Sequence, residues 1–446
     1  MNIDESSTTG NAEVVDTVFT ELGHDFNSRQ FCDTVRIVNR DQLSIARLRG
    51  SRNNHVGHDS IRRLYLNLIL ANGLFHSQLH IAFGTLETHW GNPSLGQNDP
   101  GSLSFHDTVL NRKPIILSSL PPYRTCCELV LVSLYARLEV ITKSRLEDYG
   151  KKVTFCQLEI DATAILDRFA SGSVVDKLCT EHGTTEAGTL PAGDMVYENA
   201  ILMLRDGLIM QEFSDAIKCG NSGRIILSLQ TLALYYCGSG RTKYAYEILV
   251  LCHNLKHVWP KPLRDIVIKN WLVNPTGHAD GFVPVDLLQE HMNLWIKVNS
   301  TLGDKQGTKH HEPDLTNDIS ELMKVLHTHQ VYTPIIGRTI DGDKALVRNV
   351  LVAGLHGLKK PLKEYNKLFE RLRTRRKVMP LILDGWQGVP EQQLIMSDST
   401  VYGQPESMVD ADVDVSIPED VTGSDEEMAL EAFFALEEKD HELIWE

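Results

Sequence analysis

From Arg124 onward the chain is a succession of apolar residues at helical spacing, each run closed by Gly or Pro, and that punctuation admits little but a helical fold. Cys126–Arg145 and Ile160–Cys179 read as the first two helices, with a Gly/Thr/Pro break over Gly183–Gly193. Val196–Lys218 stops at Cys219-Gly220, Arg224–Tyr236 at Gly238-Ser239-Gly240, and Lys243–Val258 at Trp259-Pro260. Pro262–Val273 carries proline in its first turn, where the missing N–H costs nothing, and ends at Asn274-Pro275. Val285–Val298, Leu315–Thr328, Lys344–Leu358 and Pro361–Arg376 complete the series. No period of 20–50 residues recurs, so a solenoid of repeats is not supported.

The first 122 residues read differently. Val14, Val15, Val18, Phe19 and Leu22 lie at helical spacing, whereas Thr34–Val38 alternates and is β-branched, as a strand is, and ends at Asn39-Arg40-Asp41. Gln42–Arg49 suits a helix start, and Leu64–Leu70 is an apolar run that either element type could use. Gly91–Pro122 is rich in Gly, Pro, Asn and Ser and reads as an irregular excursion or linker. The expected architecture is mainly α. It comprises an N-terminal segment (1–30) with a short helix, a small α/β portion (31–122) with few strands, a helical domain (123–380) and an acidic, largely disordered tail (381–446). At 446 residues, two or three such units are expected.

Charge is divided unevenly. The net charge is −15, yet the stretch 408–446 holds fourteen acids and one lysine, a net of −13, leaving about −2 for the rest. In that tail Met428, Leu430, Phe433, Phe434, Leu436, Leu443, Ile444 and Trp445 are interspersed with Glu and Asp, a mixture too charged to form a core. The opposite sign gathers in 359–377, where nine basic residues face two acids, for +7. Lys359, Lys360, Lys363, Arg371, Arg373, Arg375, Arg376 and Lys377 are the candidate nucleic-acid contacts, since such a stripe neutralises phosphates and releases counterions. Leu362, Tyr365, Leu368, Phe369 and Leu372 would form the apolar face of the same helix. A solvated helix paired with the acidic tail is the alternative. The start, MNIDESSTTG, has neither a basic nor an apolar signal region, and Arg137 and Glu139 interrupt the apolar stretch Leu129–Ile141 short of the ~20 residues a membrane span needs. An intracellular protein, nuclear or cytoplasmic, is expected, without membrane association. Eight cysteines include no CxxC pair, so neither a zinc ribbon nor a thioredoxin-like site is expected.

Six stretches carry a resemblance. IDESSTTGNAEVVD (3–16), VRIVNRDQLSIARLRG (35–50), GLFHSQLH (73–80), ETHWGNPSLGQNDPGSLSFHDTVLNRKP (87–114), NWLVNPTG (270–277) and DLLQEHMNLWIK (286–297) are similar, in order and combination, to the fungal domain of unknown function 6589 family. The resemblance reaches to about residue 380 and implies little function directly. Relatives have Gly where this chain has Arg40, prolines in the segment here read Leu66–Leu70, and sequence upstream of the IDESS-like start. A truncated or decayed copy is therefore expected.

The sharpest chemical hypothesis concerns Asp41. A strand ending in Asp, a helix, and an apolar segment leading to Phe75-His76 is similar to part of the ribonuclease-H-like cores of eukaryotic cut-and-paste transposases. Such cores hold two Mg²⁺ ions about 3.5–4 Å apart between roughly three carboxylates. Asp41 and Glu290 are the candidate catalytic pair. Asp16 and Asp33 are poor substitutes for the first acid, because neither follows a convincing strand. The competing account makes Asp41 a helix N-cap and Glu290 a solvated helix residue. No metal ligands are assigned, and Mg²⁺ would serve an intact ribonuclease-H-like site. His76 and His80, like His253 and His257, have the spacing of zinc ligands but no HExxH glutamate, and core histidines are favoured. Gly238–Lys243 lacks the phosphate-loop spacing and reads as a helix–helix turn, and Cys126-Cys127 as two packed thiols. The expected function is that of a non-catalytic, transposase-derived protein contacting nucleic acid through its basic helix. The alternative is an all-helical protein-interaction module without an active site, with partners held by the acidic–apolar tail.

Overall fold

The computed structural model describes residues 3, 7–26, 28–54, 65–112, 115–118, 121–149, 154–181, 193–300, 315–340, 346–359, 362, 363 and 367. They fall into two compact units, one from 1–71 together with a stretch that begins at Lys363, the other from 72–362. The expected tail lies outside the described residues.

In the first unit, α1 (Thr8–Glu21) starts where the Ser7 side chain accepts from Gly10 N at 2.9 Å. The Ser28 hydroxyl likewise starts the short α2 (Arg29–Asp33), accepting from Phe31 N at 3.1 Å. Phe19, Phe26 and Phe31 meet edge to face, 5.0–6.5 Å apart, and the Arg36 guanidinium lies 4.3 Å over the Phe31 ring. β1 (Arg36–Arg40) follows, then α3 (Gln42–Asn54), then β2 (Leu68–Asn72), which pairs with β1. Of the ambiguous apolar run, Leu68–Leu70 is strand and 65–67 form a turn. Arg52 holds the approach to it, donating to the carbonyls of Tyr65 and Leu68, both at 2.7 Å.

The second unit is helical. Its elements are α4 (Leu74–His89), a 3-10 turn (Pro93–Asn98), α5 (Leu103–Val109), α6 (Tyr123–Tyr149), α7 (Phe155–Phe169), α8 (Gly172–Glu181), α9 (Met195–Lys218) and α10 (Ser222–Gly238). Then come α11 (Thr242–His253) with a π-helical turn (Asn254–Val258), α12 (Lys261–Asn270), the two-residue strands β3 (Leu272–Val273) and β4 (Val283–Pro284), α13 (Val285–Ser300), α14 (Thr316–Thr328) and α15 (Val350–Gly357). Among the described residues each sheet has two strands, β1 with β2 and β3 with β4. No helix among them is long and apolar enough to cross a membrane.

α9 is the hub: α4, α6, α7, α8 and α10 all pack on it. Ala200 and Val196 on α9 join Val132 and Ala136 on α6 and Leu322 and Leu326 on α14 in one apolar core. α10 and α15 cross with their backbones touching. A Cβ on Gly238 would overlap the Val350 carbonyl, and one on Gly354 the Leu234 carbonyl.

Three expectations need correction. Gly91–Pro122 is not a linker: it contains the 3-10 turn and α5, and Trp90, Leu103, Phe105 and His106 are buried. Its turn-forming residues act as caps, Asn92 accepting from Ser94 N at 3.1 Å and Ser102 from Phe105 N at 3.3 Å. Ile160–Cys179 is two helices, broken at Ala170-Ser171. The helix expected from Lys344 begins instead at Val350, where the Asn349 side chain accepts from Val352 N.

Candidate functional site

Asp41 occupies the position before α3, where its carboxylate accepts from Ser44 N at 2.9 Å and its carbonyl from Ile45 N at 3.2 Å. That is N-cap geometry. Glu290 is half-buried on α13 and belongs to the other unit. Of the basic candidates, Lys359 and Lys363 are described, helical and exposed. Lys360, Arg371, Arg373, Arg375, Arg376 and Lys377 lie outside the described residues. Among the described residues no group of three or more His, Cys, Asp or Glu side chains is placed to hold a metal ion.

Two of the quoted stretches do meet. α4 begins after Gly73, which has no side chain to cap it. The cap comes from Asp286 on α13, 211 positions away from Phe75. Its carboxylate accepts from Phe75 N at 3.0 Å and His76 N at 3.3 Å, and it lies 3.1 Å from His76 Nδ1. A Cβ on residue 73 would overlap that carboxylate, so glycine is required there. The charge suits the positive end of the helix dipole. His80, one turn on, stacks against Tyr244 with ring centroids 3.7 Å apart. His76 and His80 therefore have separate packing roles. His253 and His257 have ring centroids 5.4 Å apart; burial, and then the His257 charge, lower the His253 pKa. Gly238–Lys243 joins α10 to α11, and Arg241 within it pairs with Glu87 at 2.6 Å. Burial pushes the Cys127 thiol up to about 12 and the Cys126 thiol up as well, which removes thiolate reactivity.

The densest polar constellation lies in the 87–107 stretch, where α4, α5, α6 and α9 converge. His89 Nε2 is 2.9 Å from Asp206 Oδ2, and both side chains are buried. Arg205 Nε donates to Asp206 Oδ1 at 2.8 Å, and its Nη1 donates to Asn349 Oδ1 at 2.7 Å. Arg137, 0% exposed, donates from Nε to Ser133 Oγ at 3.1 Å and from Nη1 to the Tyr332 hydroxyl at 3.0 Å, and its Nη2 donates to the Gly101 carbonyl. His106 is fixed between the Pro100 carbonyl, 3.2 Å from Nε2, and Ser133 Oγ, 2.9 Å from Nδ1.

Hydrogen-bond logic assigns the tautomers. A carbonyl only accepts, so His106 carries its proton on Nε2, and its Nδ1 accepts from the Ser133 hydroxyl. His89 donates from Nε2 to Asp206, while its Nδ1 is buried without a partner. Both rings are neutral. Burial lowers both pKa values, and the Arg137 charge lowers that of His106 further. Burial raises the Asp99 carboxyl to about 6, against the pull of Arg137.

Ser133 and His106 thus have the hydrogen bond of a nucleophile–base pair. Both are 0% exposed, and Ser133 Oγ is also engaged by Arg137. That hydroxyl is enclosed and engaged by both His106 and Arg137, and the cluster joins the 87–107 stretch to α6 and α9. Sequence reasoning missed it, although Arg137 inside Leu129–Ile141 and Arg205-Asp206 inside the apolar run Ala200–Met210 were visible signals. A charge on a face that must be buried needs an internal partner.

The fold and its clasped polar core define a mainly helical protein in which Arg137, Arg205 and Asp206 are buried and paired from within. The chain belongs to the family of unknown function DUF6589, whose family model matches residues 1–331. No curated protein and no solved structure matches it.

Proposed function

We propose that this chain is a non-catalytic, intracellular protein, nuclear or cytoplasmic, that contacts nucleic acid through residues 359–377, and that it derives from a fungal transposase with a ribonuclease-H-like core. The observation that carries the binding reading is the start of the basic segment. Lys359, Lys363 and Lys367 are helical and exposed. A lysine exposed on a surface is available to a phosphate. The capping role of Asp41 supports the non-catalytic part, because its carboxylate is already engaged by a backbone N–H.

The test is titration of the full chain against a labelled DNA duplex at several salt concentrations. If Arg371, Arg373, Arg375 and Arg376 each contact one phosphate, changing all four to alanine lowers the slope of log K against log salt by about 3–4. Affinity and slope equal to those of the unchanged chain would reject the reading. Mg²⁺-dependent cleavage that disappears in both Asp41→Ala and Glu290→Ala would show an active two-metal site instead.

The second reading, a protein-interaction module, is favoured by α7. Phe155, Leu158 and Leu166 form an exposed apolar stripe on that helix, with Phe155 76% exposed.

A further inference from the structure

The π-helical turn and α12 present a face of unusual composition. Between His253 and Asn270 there are four cations, Lys256, Lys261, Arg264 and Lys269, and one acid, Asp265, for a net of +3. Val267 turns inward and is buried, whereas Lys261, Ile266 and Lys269 are exposed along the outer arc. Arg264 ties α12 to the turn by donating to the Leu255 carbonyl at 3.4 Å. Lys261 pairs with Asp265 at 2.8 Å, while Lys256 and Lys269 make no ion pair among the described residues. The Asp265 carboxyl is held below its ordinary range first by the Lys261 hydrogen bond and then by the charges of Lys261, Arg264 and Lys269. The field here is positive. Val258 and Ile266, each 50% exposed, lie within three positions of these cations along the chain.

We propose that this face is the docking surface for the chain's own C-terminal segment, Leu430–Glu446. That segment holds six acids and one lysine, the complement of the +3 face. It also offers Leu430, Phe433 and Phe434 at i, i+3 and i+4, then Leu443, Ile444 and Trp445, as apolar partners for Val258 and Ile266. A nucleic-acid backbone would satisfy the lysines and leave those two side chains against water. An acidic segment with interspersed aromatic residues satisfies both. Reach is not limiting: 67 residues separate Leu362 from Leu430, and a chain of that length can extend to at most ~220 Å. The assignment is independent of the nucleic-acid reading of residues 359–377.

Zero-length carbodiimide cross-linking of the full chain, read by mass spectrometry, tests it. Lys256, Lys261 or Lys269 is expected to join Glu431, Glu437, Glu438, Asp440 or Glu442 within one chain, and the joins fade above ~0.5 M salt as charges are screened. In the full chain carrying E431Q, E437Q, E438Q, D440N, E442Q and E446Q, Lys256 and Lys269 are expected to acetylate about threefold faster, the scale of one exposed ion pair. Val258→Ser with Ile266→Ser, which leaves every charge in place, is expected to reduce the joins by a similar factor. Joins from the tail only to Lys359–Lys377, joins only between isotopically distinct copies, or unchanged acetylation would overturn the proposal. Protection of Lys256 and Lys269 by added duplex DNA, indifferent to the tail substitutions, would overturn it too and make the face a nucleic-acid surface.

Discussion

Arg137 shows what a single buried charge does in this molecule. Its guanidinium reaches Ser133, Tyr332 and the Gly101 carbonyl, three groups drawn from separate segments. Arg137→Met would fill similar space and strand those partners without water. A loss of about 1–3 kcal/mol is expected from the polar groups left unsatisfied, measured by denaturant unfolding. Asp99 offers a test by pH. Its folded pKa of about 6 lies above the ordinary 3.8, so folding favours the protonated acid. Its contribution is full below pH 3.8 and is lost as pH rises to 6, beyond which the buried carboxylate carries a penalty of at most ~3 kcal/mol. Asp99→Asn should therefore raise the midpoint of thermal unfolding at pH 7.5 and change it little at pH 4. An equal shift at both pH values would refute the burial account.

At the scale of elements, stability depends on caps and crossings supplied from far along the chain. α4 has no cap of its own, and Asp286 on α13 serves it. Asp286→Ala should cost about 1–2 kcal/mol and speed amide exchange at Phe75 and His76 ahead of the rest of α4. Uniform exchange along the helix would argue against a capping role. The α10–α15 crossing depends on two glycines at touching backbones. Gly354→Ala should cost about 1–3 kcal/mol through overpacking. A neutral Gly354→Ala, read by the same unfolding assay, would mean that the helices separate at little cost.

For the molecule as a whole, acid should act through the two clasp histidines. His89 and His106 have folded pKa values below the ordinary 6.5. The unfolded chain therefore takes up their protons first, and stability present above pH 6.5 is lost as pH falls below it. Replacing both with glutamine should flatten that slope at some cost at pH 7.5, seen in the pH dependence of the unfolding midpoint. Charge is also arranged globally: −13 of the net −15 sits in 408–446, so binding to any polyanion will depend on where that segment rests.

The helical class, most helix ends and the division of charge were legible in the residues themselves, because 3.6-residue periodicity and Gly or Pro stops are local properties of the chain. Leu64–Leu70 stayed ambiguous, since a short apolar run suits either element, and only pairing with β1 made Leu68–Leu70 a strand. Gly91–Pro122 resembles a loop by composition, yet Asp99–Asp107 within it is buried. Its Asn92 and Ser102 cap short helices, which composition cannot distinguish from turns. That Asp286 would hold His76, and Asp206 His89, was beyond any pattern in the chain. The sequence alone determined which segments coil and where charge accumulates. The tertiary structure alone decided which acids are consumed inside, because a buried carboxylate takes its role from whichever N–H the fold brings within 3 Å, and that neighbour lies as many as 211 residues away.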